Sequence, residues 1–204
     1  MKKQFFFVIP VVFIFISSCT VVSNLYPISE NENDFIFKKE LIGKWGNTKD
    51  SSGYYQVDTV EGSNGKLYRA TVIGPNEEDK NIMDTMRFLA QLIQVDNKYF
   101  IDCQLDIETN FPLKKDDYSS WLLARHFVYT ISFNGPDKIE LTFPDPDALL
   151  QLINDKKLNL NYYTVRKDDY LILNKPAELQ AALKESLKYA STVYKEKDVL
   201  VRLK

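Results

Sequence analysis

The chain has 204 residues, 26 Lys and Arg against 28 Asp and Glu, and a formal net charge of −2. No basic cluster breaks this balance, which argues against a nucleic-acid partner. One histidine and two cysteines are too few for a disulfide framework or a zinc site of the usual kinds.

The chain begins with Met1-Lys2-Lys3 and continues into twelve apolar residues, Phe5 to Ile16. A membrane-spanning helix needs about 20 such residues. The run is too short for that, and its basic start and small-residue end read as a secretory signal. The sequence Ile16-Ser17-Ser18-Cys19 resembles the lipobox of bacterial lipoproteins. That resemblance implies cleavage before Cys19, a diacylglycerol on its thiol, and attachment to the cell envelope through that lipid. Thr20 offers no obvious inner-membrane retention signal, so the outer membrane is preferred over the inner. Removing residues 1–18, whose only charges are Lys2 and Lys3, takes the net charge from −2 to −4. Residues 19–35 are polar, acidic towards their end and contain Pro27, as expected of a lipidated N-terminus and flexible tether. Residues 36–204 suit a single domain.

From residue 43 onward apolar residues alternate with polar ones, the period of a half-buried strand. Strands are predicted at 43–48, 54–60 and 66–73, the last two joined by Glu61-Gly62-Ser63-Asn64-Gly65. The stretch 87–95 fits helix or strand. Asp96-Asn97 and the alternating run after it favour a hairpin. In that run Tyr99, Ile101, Cys103, Leu105 and Ile107 share one face, and Asp102, Gln104 and Asp106 share the other. If Cys19 is lipidated, Cys103 has no intramolecular partner and reads as an inert core thiol. Residues 108–120 are predicted as a charged loop. Phe127, Tyr129, Ile131 and Phe133 then line one face of strand 126–133, with His126, Thr130 and Ser132 opposite. After a turn at Asn134-Gly135, Ile139, Leu141 and Phe143 continue the apolar row.

Asp145-Pro146 supplies an N-cap and a proline at the first helical position, which predicts a short helix over 146–156. Residues 160–173 return to strand, with a turn at Lys167-Asp168-Asp169. Pro176 opens a second helix, with Leu179, Leu183 and Leu187 on one stripe. Val199, Val201 and Leu203 form a last strand. The sum is a mainly β domain with helices: about eight to ten largely antiparallel strands, which closure into a barrel would relieve of exposed edges. An open curved sheet is the alternative.

Gly43-Lys44-Trp45 in the first of these strands resembles the Gly-x-Trp signature of lipocalins and lipocalin-like bacterial lipoproteins. The resemblance implies an antiparallel barrel closed at one end by Trp45, with a late arginine packed over it. Arg202 in the last strand is the candidate. A C-terminal helix followed by a last strand is also similar. No Thr-Asp-Tyr-type second signature is present, and the helix inserted at 146–156 is not part of the usual plan.

The sequence carries no recognisable catalytic motif. His126 has no Gly-x-Ser-x-Gly elbow to serve, and Ser119, Ser120 and Ser132 are the nearest serines. Asp102, Asp106 and Glu140 are the carboxylates on strands that a glycoside hydrolase would need in a facing pair, but alternation on an outer sheet face explains them as well and is preferred. Glu77-Glu78-Asp79 and Asp116-Asp117 lack calcium-loop spacing. No catalytic residue, metal ligand or cofactor is therefore assigned. A small barrel is just wide enough to be filled by side chains or to hold one small ligand. The row Tyr99, Ile101, Leu105, Phe127, Tyr129, Ile131, Phe133, Leu141 and Phe143 would point inward, lining an apolar pocket or filling a solid core. The expectation is a non-enzymatic envelope lipoprotein that binds a small apolar or amphipathic ligand. A module docking on another envelope protein is the alternative, and an envelope hydrolase the distant one.

Overall fold

In the computed structural model the described residues are 21–76, 79–80, 82–110 and 125–204. The expected signal segment, Cys19, Ser119, Ser120, Asp116, Asp117, Glu77 and Glu78 lie outside them, as does most of the predicted 108–120 loop. Eleven strands are described: β1 (Val21–Asn24), β2 (Gly43–Asn47), β3 (Tyr54–Thr59), β4 (Tyr68–Pro75), β5 (Met83–Val95), β6 (Lys98–Leu105), β7 (His126–Phe133), β8 (Lys138–Phe143), β9 (Tyr162–Arg166), β10 (Asp169–Ile172) and β11 (Glu196–Arg202). The helices are α1 (Ile107–Asn110), α2 (Pro146–Asn154), α3 (Pro176–Ser186) and α4 (Ala190–Val193).

Eight strands close into an antiparallel barrel. Neighbours β2 to β8 follow chain order, β6 pairs with β7, and β11 closes the circle between β8 and β2. Tight hairpins explain the sequential order. Asp96 (φ 51°) and Gly135 (φ 90°) take the positive-φ positions that short turns demand. The stretch 87–95 is strand throughout. It was ambiguous because its outward face is also apolar: Ile93 is buried there with Ile28 and Phe100, against Leu183 and Leu187.

Between β8 and β11 the chain leaves the barrel and builds an annex. Asp145 caps α2, accepting from the Ala148 N–H at 3.0 Å, with Pro146 behind it. In α3, Glu178 folds back to accept from the Lys175 N–H at 3.2 Å. β9 and β10 form a hairpin that joins β1 in parallel, and β1 touches β7 at the Asn24–His126 pair. A second apolar cluster, including Leu152, Ile153, Ile172, Leu179 and Val193, fills the annex.

The expected tether is corrected by the structure. Residues 21–35 are part of the body. Val21 to Asn24 pair with β10, Ile28 is 1% exposed, and Phe35 bridges to Ile93. The segment holds because it has partners far along the chain. The Ile28 N–H donates to Asp102 Oδ2 at 2.8 Å, and the Gln180 amide donates to the Ile28 carbonyl at 3.1 Å. It covers apolar barrel wall that would otherwise meet water.

Candidate functional site

One end of the barrel is closed. Trp45 is fully buried there, and its indole N–H donates to the Leu41 carbonyl at 2.9 Å. The Arg202 guanidinium lies over the Trp45 ring at 4.4 Å, a cation–π contact. The same group donates to the carbonyls of Ile42 (2.8 Å), Glu40 (2.9 Å) and Pro136 (3.0 Å). Gly43 explains the first position of Gly-x-Trp. Its φ is 136°, and a Cβ there would collide with Arg202 Nη1. Arginine and glycine thus fit one another from opposite ends of the barrel sequence.

Above this plug the barrel encloses a cavity of about 160 Å³. Of the inward row read from the sequence, Ile101, Phe127, Tyr129, Ile131, Leu141 and Phe143 line it. Tyr99, Phe133 and Leu105 do not. Tyr99 and Phe133 meet edge-on at 5.6 Å, and Lys38 Nζ sits 5.0 Å and 5.9 Å from their rings. They belong to the packing around Trp45. Leu105 is the last residue of its strand, opposite Phe88. The facing wall comes from β3, β4 and β5, including Tyr55, Ala70, Met86 and Phe88. Sequence reading did not single these out. Their signal was the same period-two alternation, blurred on β4 and β5 by Ile73, Leu89 and Ile93 on the other face.

Among the described residues the lining is almost wholly apolar and carries no charged side chain. Its polar groups are the hydroxyls of Tyr55, Tyr68 and Tyr129 and the thiol of Cys103. The Tyr68 hydroxyl is engaged, accepting from the Lys38 N–H at 2.6 Å. The Tyr129 hydroxyl has no hydrogen-bond partner among the described residues. Tyr129 and Tyr55 stand on β7 and β3, opposite staves of the eight-stranded barrel. Burial pushes the ionisation of Tyr129, Tyr55 and Cys103 well above their ordinary values. For Tyr55, the nearby charges of Asp198 and Asp50 add to the effect of burial. All three groups are therefore neutral across the physiological range. At the rim Asp198 pairs with Lys49 Nζ at 3.0 Å, and the buried Asn47 Nδ2 has no partner among the described residues.

The carboxylates weighed for hydrolysis do not face one another across the cavity. Asp102 is buried in the outer wall, between the Ile28 N–H and His126 Nδ1 at 2.9 Å. Asp106 accepts from Arg69 and from the Thr109 N–H and hydroxyl. Glu140 pairs with Lys197 at 3.5 Å. Ser132 belongs to β7 at the Glu140 register, away from His126. Among the described residues no three His, Cys, Asp or Glu gather as a cation site would require.

The chain matches no protein-family model, no curated protein and no solved structure.

Proposed function

We propose that this chain is a non-enzymatic envelope lipoprotein, anchored by lipid on Cys19, whose lipocalin-like barrel carries a small apolar or amphipathic ligand. The observation that carries the reading is the cavity of about 160 Å³ with its uncharged, mainly hydrocarbon lining. Small-molecule sites are mostly apolar with a few placed polar groups, and an apolar cavity of roughly 150 Å³ suffices for benzene. The engagement of Asp102, Asp106 and Glu140 in structural contacts supports a non-catalytic role. The Gly43, Trp45 and Arg202 arrangement supports the lipocalin-like assignment.

The test is titration of residues 21–204 with p-xylene, followed by methyl NMR. Shifts at Ile101, Ile131 and Leu141 are expected. Unmoved methyls up to the solubility of the hydrocarbon remove the ligand reading. The anchor is tested separately in cells: Cys19→Ala should leave the membrane fraction.

A docking module is the second reading, and one observation favours it. β9 is the outermost strand of the sheet, unpaired on its far side among the described residues, with Tyr163 62% and Val165 41% exposed. Such an edge is a template for another strand.

A further inference from the structure

Resting on the reading of the barrel as a ligand site, we infer that Tyr129 is its specificity-determining residue. Its hydroxyl selects an uncharged ligand of about benzene to cresol size that carries one hydrogen-bonding oxygen. Most of the cavity wall is hydrocarbon, which binds by burial and does not discriminate orientation. Tyr68 spends its hydroxyl on the Lys38 backbone at the closed end. Tyr55 has a further interaction of its own and lies within the field of Asp198 and Asp50 at the rim. Cys103 offers only a weak donor. Tyr129 is left, a residue of the cavity lining whose hydroxyl has no partner among the described residues.

A hydroxyl covered by a ligand that offers it no partner is costly, and a ligand oxygen that meets it avoids that cost. A hydrocarbon of the same shape cannot. A carboxylate ligand is disfavoured for a different reason: among the described residues no Lys, Arg or His lines the cavity to compensate a buried anion. The ring itself is held by Phe143, edge-on at 4.8 Å, so the hydroxyl is presented in a fixed direction. Pre-organisation of this kind converts one polar contact into selectivity.

The experiment compares p-cresol with p-xylene, which differ by hydroxyl for methyl, and adds p-toluate as the charged analogue. Affinities are measured by methyl NMR titration for the wild-type domain and for Tyr129→Phe. The preference for p-cresol relative to p-xylene should fall about two- to tenfold in the variant, the range of one neutral hydrogen bond. p-Toluate should bind the wild type more weakly than p-cresol. A cresol-to-xylene ratio unchanged by Tyr129→Phe overturns the inference while p-xylene binding keeps the ligand reading intact. p-Toluate binding as tightly as p-cresol overturns the uncharged-ligand part. Failure of all three ligands to bind removes the ligand reading and this inference with it. Melting curves check that the variant is folded, and Tyr129→Leu carries the same comparison if Tyr129→Phe is not.

Discussion

At the scale of single residues, the closed end depends on glycine more than on any apolar side chain. Gly43 sits at φ 136°, where a side chain is strained, and the space a Cβ would need is taken by Arg202. Gly43→Ala should therefore lose about 1–3 kcal/mol from backbone strain alone, and displacing the guanidinium from the Trp45 ring adds to it. Urea unfolding checks this; a midpoint within error of wild type would show that Arg202 can move aside freely. The cavity phenols and thiol make a second prediction, in pH. Cys103, Tyr55 and Tyr129 all have folded ionisation raised above the ordinary values of 9.0 for the thiol and 10.0 for the phenols. The neutral form is the one the fold prefers. Stability is then full below about pH 9, and it falls as pH rises from there towards the folded values, because the unfolded chain loses protons first. The slope reaches about 1.4 kcal/mol per pH unit for each group that titrates in this way. Urea midpoints at pH 8 and pH 10.5 should show the decline, and Tyr129→Phe should shrink it. A native Cys103 that reacts with a thiol reagent at pH 8 as fast as the unfolded chain would contradict the burial that underlies both statements.

At the scale of elements, the N-terminal segment shows what a sequence can and cannot reveal. The α2 boundary was legible because its causes are local: Asp145 and Pro146 lie next to the residues they cap. The inward row on β6 to β8 was legible because its alternation is clean, and six of its nine members reach the cavity. The 21–35 segment was not legible. Its buried apolar residues, Val21 and Ile28, follow no single period, and their partners are Asp169 and Asp102, far away in the chain. Asp102 was read as an outer-face carboxylate. It does face outward from the barrel, but into the covering segment, and no local pattern announces a cover. This assigns Asp102 the work of holding that segment. Asp102→Ala leaves the Ile28 N–H and His126 Nδ1 without their shared acceptor, at about 3 kcal/mol for two buried groups. The Ile28 amide should then exchange with deuterium many times faster than in wild type, while amides of β4 and β5 change less. Equal acceleration everywhere would mean that the segment and the barrel unfold as one unit.

At the scale of the whole molecule, the barrel and the annex answer different physical problems. Closure of eight strands removes the barrel's own edges, and the annex then covers the apolar outer faces of β5 to β7. A chain this well covered has every opportunity to fill its centre, and it does not. Ala70 and Ala90 are small residues on a wall that also carries Phe88, and the void beside them forgoes packing energy that larger side chains would recover. Ala70→Leu tests whether that void serves a ligand. Three added carbons buried in the lumen contribute up to about 2 kcal/mol if they fit without strain. The variant should then melt higher than wild type and should lose p-xylene binding, because both occupy the same space. Stability gained at the expense of binding is the trade expected of a functional cavity. If Ala70→Leu melts lower, the lumen is narrower than its volume implies and strain exceeds the transfer gain. If it melts higher and p-xylene still binds unchanged, the hydrocarbon sits elsewhere, and the barrel cavity is not the site.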